Sequence, residues 1–307
     1  MISATLLSSF LAAASLSSAL PLEERGTGVI RCPLILNGLV KSSLVSTDFD
    51  SYATSPFNPD YIRGSEKFSQ SLQFPNVTSS RFDNVTTKAI EVTINDKSIF
   101  QSQNGFRRAG LQMQGDTNEN GPGTKGIRTL HFSVKQDPQR KLNLTHEYLN
   151  VWHETSDYSA NQFNFQTGTL IGKSGNKNTF KVLNRQNTLV WSTAIEETAW
   201  QNFAIKVDFS RKVCKKCKSL FIAETNIVRH DSTLQVYYSK GDEPLKSVTS
   251  ALPNDNSGGG QYQIGILKKP TGTSDVVNSG YQERNLNEGQ IYGGLFLEDG
   301  TNGCISL

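Results

Sequence analysis

Apolar residues recur along this chain mostly at every second position, in short runs separated by clusters of Gly, Asn, Asp and Pro. A period of two sends successive side chains to opposite faces of an extended backbone, so each run predicts a β-strand. The runs cover residues 89–96, 105–115, 126–136, 145–154, 161–172, 201–210, 232–241, 260–269 and 289–298. Helical periodicity is almost absent, and no segment repeats at a fixed spacing, which argues against propellers and solenoids. So many strands in one chain predict an all-β protein, a two-sheet β-sandwich of jelly-roll type.

The alternation divides each run into an apolar and a polar side. Leu130, Phe132 and Val134 leave Thr129, His131 and Ser133 opposite; Ala109, Leu111 and Met113 leave Arg108, Gly110, Gln112 and Gln114. Tyr262, Ile264 and Ile266 leave Gln261, Gln263 and Gly265, while Phe163 and Phe165 leave Gln162, Asn164 and Gln166. In the run ending "HEYLNVWHE", Leu149, Val151 and His153 point inward, and His146, Tyr148, Asn150, Trp152 and Glu154 point the other way. Placed in one sheet, these outer sides add up to a surface of amides, aromatics, Arg108 and two histidines. Such a surface suits neutral polyhydroxyl ligands, because amides donate and accept to hydroxyls and an aromatic ring packs on the apolar face of a sugar. The carbohydrate reading hangs on Trp152 and Glu154 emerging together along a shared groove; an indole buried under Leu149, or a Glu154 turned away from any groove, would overturn it. Trp191 and Trp200 read as core and edge packing, and His153 as a hydrogen-bonded core group.

Composition narrows the partners. A formal net charge of +3 over 307 residues carries no nucleic-acid footprint. The apolar stretch Leu6–Ala13, followed by Ser17, Ser18 and Ala19, reads as a signal peptide over 1–19, too short to span a membrane. A linker over 20–30 then leads into a single domain over 31–307, expected to be secreted, extracellular and monomeric. Sequons at Asn76, Asn84 and Asn143 fit export. Export also predicts oxidised thiols, and the closeness of chain ends in a sandwich predicts a Cys32–Cys304 disulfide. Neither a metal nor a cofactor is expected: Cys214, Cys217 and His230 lack the fourth ligand of a structural zinc site.

The stretches "HEYLNVWHE", "VWSTAIEETAWQNFAIKVDFS", "LQVYYSKGDEPLKSV", "GGGQYQIGILKKPTG" and "GQIYGGLFLED" resemble, in order, the catalytic domain of glycoside hydrolase family 131, secreted fungal proteins. The resemblance runs from about Cys32 to Asp299. It implies a β-jelly roll with an open cleft across its concave sheet, and action on β-glucan. Glu154 matches the family's second glutamate. Gly110 stands where the family's Arg-x-Glu-Leu stretch places the first, and Gln263 where it places a cleft histidine. Glycoside cleavage generally needs two carboxyl groups. Asp157, Asp275, Glu283 and Glu288 are the replacement candidates, and His131 a substitute acid–base.

Residues 213–231 interrupt the resemblance. Without them "VDFSRK" continues directly into "STLQVYYSKG", and the net charge falls from +3 to +1, so the segment reads as an insertion, by preference a retained intron. Three functions remain in view: a β-glucan hydrolase, a non-catalytic glucan-binding protein, and a polysaccharide lyase built on Tyr148, His131 and Arg108. The hydrolase leads because the whole scaffold resembles hydrolases.

Overall fold

The computed structural model describes residues 27–210 and 232–307. The expected signal peptide and the suspected insertion both lie outside the described residues. The principal strands are β1 (Leu34–Asn37), β2 (Ile90–Asn95), β3 (Arg107–Leu111), β4 (Ile127–Lys135), β5 (Glu147–Glu154), β6 (Asn161–Gly168), β7 (Thr179–Asn184), β8 (Leu189–Ala194), β9 (Gln201–Asp208), β10 (Thr233–Lys240), β11 (Gln261–Lys268) and β12 (Asn287–Asp299). They form the β-sandwich that the alternation predicts, in a jelly-roll arrangement.

One sheet runs β8-β7-β6-β5-β11-β3. The other runs β10-β9-β4-β12-β2, with short strands at its rims and β1 added along β12. All the strand pairs are antiparallel, so each sheet can bury one face and use the other. Between the layers, Phe165 of the first sheet meets Phe132 and Phe203 of the second with ring centroids 5.0 and 4.7 Å apart. Val151, Phe163, Tyr262, Ile264, Val92, Ile205 and Leu297 complete the same core. Trp191 packs on it beside Tyr238, and Trp200 is buried over Ala89 and Ile291.

The second sheet has a covered outer face, and this corrects one expectation. β4 pairs with β9 and β12, not with the strands of the first sheet. Alternation assigns a face to a side chain but not a sheet to a strand. His131 is therefore fully buried on the far side of the molecule, stacked on Phe296 at 4.4 Å, its Nε2 2.8 Å from the Glu298 carboxylate. Phe82, Ile30, Leu39 and Ile305 close over this cluster. The pairing of β1 with β12 draws the ends together, and Cys32 and Cys304 are joined by a disulfide. At the other rim Val207 of β9 lies opposite Leu234 of β10, so the strands flanking residues 211–231 pair directly.

Candidate active site

The outer face of the six-stranded sheet is built in rows across the strands, and apart from the half-buried Glu154 and Asn161 its side chains are buried. Gln112, Gln263, Trp152, Asn164 and Leu183 form one row, and Gln261, Glu154 and Asn161 the next. Arg108, Leu267, Leu149, Gln166 and Lys181 form a third on the other side. Glu154, Trp152, Arg108, Gln112, Gln261, Gln263 and Asn164 thus share the face that alternation gave them.

Four others do not, because strict alternation fails at bulges. Between Leu149 and Val151 the β5–β6 register slips by one residue, and β11 carries an extra residue between Ile264 and Leu267. A one-residue slip exchanges the faces of everything beyond it. Tyr148 therefore enters the core, where its hydroxyl donates to Glu288 Oε2 at 2.8 Å, and Leu149 moves to the cleft side. His146 is buried, with Nδ1 2.7 Å from the Lys269 carbonyl and Nε2 3.2 Å from Glu283. Asn150 is itself the extra residue and is fully buried. A second slip between His153 and Glu154 turns Gln162 away from the cleft, where it binds the His153 ring at 2.7 Å, and Asn161 takes its place beside Glu154.

Trp152 corrects the main expectation. The indole is only 2% exposed and packs with Leu149, Leu267 and Phe106 under Val276 of the 271–285 loop. The carbohydrate reading drawn from the strand pattern falls with that burial. Trp152 instead supports its neighbours: the Arg108 guanidinium lies 5.7 Å from its ring centre.

A continuous hydrogen-bond chain runs over the face. Asn58 Nδ2 donates to Gln112 Oε1 at 3.0 Å, Gln112 Nε2 to Gln261 Oε1 at 2.5 Å, and Gln261 Nε2 to the Tyr61 hydroxyl. Gln263 Nε2 donates both to that hydroxyl at 2.6 Å and to Glu154 Oε2 at 2.9 Å. With two amides donating to its oxygen, the Tyr61 hydroxyl keeps its own proton for an outside acceptor. Tyr61 comes from a loop that covers the edge of β3, where the Gly110 amide N–H bonds the Ile62 carbonyl at 2.9 Å.

Gly110 lies on this face. A Cβ built there would meet Gln263 Oε1 and Ile62 at 3.8 Å, ordinary contact distances. The three positions singled out by the resemblance, 110, 154 and 263, therefore converge, and Glu154 is their sole carboxylate. The replacement candidates sit elsewhere. Asp157 caps its own exposed turn through Thr155 and Ser159. Asp275 holds Asn278 within its loop. Glu283 and Glu288 both bind the buried Lys268 ammonium, at 2.6 and 2.7 Å. With His131 in the other sheet and Tyr148 in the core, the residues of the lyase reading are not assembled either.

Burial raises the Glu154 carboxyl above its ordinary value, against the opposing pulls of Arg108 and the Trp152 indole. Burial, helped by Glu154, raises the Tyr61 phenol, which keeps it a neutral donor. Behind the amide chain, burial pushes the Asp116 carboxyl up to about 7, while its bond to the Tyr262 amide lowers it. Among the described residues no cluster of three or more His, Cys, Asp or Glu offers a metal site.

Tyr61, Asn161 and Tyr158 are the residues that alternation missed. Tyr61 and Tyr158 lie on loops, where no periodicity marks them. Tyr158 is 64% exposed, with its backbone in the left-handed region at φ 59° and its hydroxyl 3.4 Å from Asn118 Nδ2. An aromatic residue held there is uncommon, and such strain concentrates at functional sites. Of the expected glycan sites, Asn76 and Asn84 are exposed, whereas Asn143 is half-buried with its Nδ2 donating to Glu283.

The fold defines a two-sheet β-sandwich of jelly-roll type, and sequence comparison narrows the class. Residues 34–303 match the family described as glycoside hydrolase 131 catalytic N-terminal domain, and the chain belongs to that family. Among solved structures it is similar to the catalytic domain of a GH131 β-glucanase from Podospora anserina, at 19% identity and a TM-score of 0.66, covering 87% of this chain and 96% of that one. It is also similar to the catalytic domain of the family 131 protein from Coprinopsis cinerea, at 20% identity and a TM-score of 0.63, covering 89% and 100%. No curated protein matches the chain in sequence.

Proposed function

We propose that the protein is exported and binds β-glucan along the cleft of the six-stranded sheet, holding the polymer without appreciable hydrolysis. One observation carries this reading. At Gly110 the side chain that would face Gln263 and complete a carboxyl pair with Glu154 is absent, and Gln263 ties up Glu154 through an amide N–H. Cleavage needs one carboxyl to protonate the departing oxygen and a second to act as base or nucleophile. Glu154 fills one role alone. What supports binding is family membership and the groups left able to reach a ligand, namely the Tyr61 hydroxyl proton, the half-buried Asn161 and the exposed ring of Tyr158 as a stacking platform, set over buried amides of Gln261, Gln263 and Asn164 that are already hydrogen-bonded within the protein. Export is supported by the apolar N-terminal stretch, the Cys32–Cys304 disulfide and the exposed sequons at Asn76 and Asn84.

Hydrolysis is the second reading. It is favoured by family membership and by the raised Glu154 carboxyl, which suits a general acid. Incubating the protein with β-1,3-, β-1,6- and β-1,4-glucans, while measuring bound protein and released reducing ends, separates the two. Binding without new reducing ends is the expected result. Release that disappears in Glu154→Gln, with binding retained, establishes the hydrolase instead.

A further inference from the structure

The far end of the same face has a different chemistry. Two contiguous cavities of about 330 and 320 Å3 lie over β5, β6 and β7, sharing Leu170, Lys173, Leu183 and Asn187. Their walls carry Lys173, Lys181 and Lys269 against one carboxylate, Glu147. Glu147 is already saturated. Its Oε1 accepts from Lys269 Nζ at 2.5 Å and from Gln166 Nε2 at 3.3 Å, and its Oε2 accepts from the Ile171 amide at 2.7 Å.

Lys181 is left without such a partner. It projects from the middle of the face and is 7% exposed, and its ammonium donates only to the carbonyls of Gly168 and Thr179, at 3.2 and 3.3 Å. No carboxylate stands within 4.0 Å of it among the described residues. Burial lowers the pKa of the Lys181 ammonium, and Glu147 opposes that only from a distance and without an ion pair, so two long bonds to carbonyls leave one of its three N–H donors for a ligand. Lys173, at the exposed rim, donates to the Asn187 carbonyl, and Asn187 in turn accepts from Asn164 Nδ2 at 3.1 Å, which links this end to the amide-lined end. Along β5 the two ends, marked by Glu147 and Glu154, are roughly 20 Å apart, a distance that one oligosaccharide can span.

We infer that the cavities over Lys181 form an anionic subsite that takes a sugar carboxylate, so that the cleft prefers a β-glucan bearing uronate units at this end over the wholly neutral polymer. The inference rests on the glucan-binding reading above. The incoming carboxylate would accept from Lys181 Nζ inside and Lys173 Nζ at the rim, and the desolvated site makes such charge-assisted bonds strong.

The test compares, by calorimetric titration of the whole protein, a neutral β-1,4-gluco-oligosaccharide with the same oligosaccharide oxidised at C6 to glucuronate units. The acidic ligand is expected to bind about tenfold tighter at low salt, with the preference shrinking as salt rises. Lys181→Met should abolish the preference, so that the acidic and neutral ligands bind alike. Lys173→Ser, at an exposed position that cannot threaten folding, should reduce it. Equal affinities for the two ligands overturn the subsite and leave glucan binding standing. Binding of the acidic ligand alone keeps the subsite and overturns the neutral-glucan reading, whereas binding of neither overturns both. A Lys181→Met variant that loses stability but keeps the preference assigns Lys181 a structural role and also overturns the subsite.

Discussion

Position 110 presents a single hydrogen where a carboxylate would complete a hydrolytic pair; the site is buried, and a Cβ there would meet Gln263 Oε1 and Ile62 at 3.8 Å, ordinary contact distances. Gly110→Glu places a second carboxyl beside Glu154 in a buried setting and should lower stability by about 1–3 kcal/mol; combined with Gln263→His it should release reducing ends from β-glucan faster than the unmodified protein. Stacking makes a separate prediction. Tyr158→Gly removes the exposed ring and relaxes the left-handed backbone, so affinity for neutral glucan should fall about five- to tenfold while the melting temperature holds or rises. Asp116 predicts a pH dependence. Its folded carboxyl is raised to about 7, so between the unfolded value and about 7 the unfolded chain has released a proton that the folded one keeps. That difference lowers stability as pH rises through this window. Asp116→Asn removes the effect, and its stability advantage over the parent should grow between pH 4 and 7 by on the order of 2–4 kcal/mol, read from urea unfolding at each pH.

At the scale of strands, alternation sufficed wherever pairing was regular. Phe163, Phe165, Tyr262 and Ile264 lie in the core, and Gln263, Gln112 and Arg108 lie on the opposite face of the sheet, as their positions dictate, though they too are buried there. It failed where one extra residue enters a strand. Nothing in the side chains of "HEYLNVWHE" marks Asn150 as extra, because the slip is set by what β6 and β11 offer across the ladder. Sheet membership was equally illegible, and the misplacement of His131 followed from it. β7 and β8 escaped notice because β7 carries Lys181 and Leu183 outward and β8 is largely exposed. The bulge can be tested through Tyr148, whose hydroxyl sits in the core on Glu288. Tyr148→Phe should lower unfolding stability by about 1–2 kcal/mol, with Lys268 still holding Glu288, and leave glucan affinity unchanged. A loss of affinity would mean that the ring faces the cleft after all.

For the whole molecule, the sandwich supplies the base and the loops cover its outer face. The 271–285 loop brings Val276 down on Trp152, and the loop carrying Tyr61 caps β3, so a ligand on this face would meet the Tyr61 phenol and not the indole that the strand pattern pointed to. The disulfide between Cys32 and Cys304 closes a sequence separation of 272 residues, and its removal by Cys32→Ser with Cys304→Ser should cost about 2–5 kcal/mol in unfolding. The cleft lies on the other sheet, so glucan affinity at room temperature should survive that loss. The most direct test of the account is to saturate the unmodified protein with β-glucan and follow reducing ends over many hours. The account predicts saturable binding with no release above a protein-free control; steady release that Glu154→Gln abolishes would contradict it.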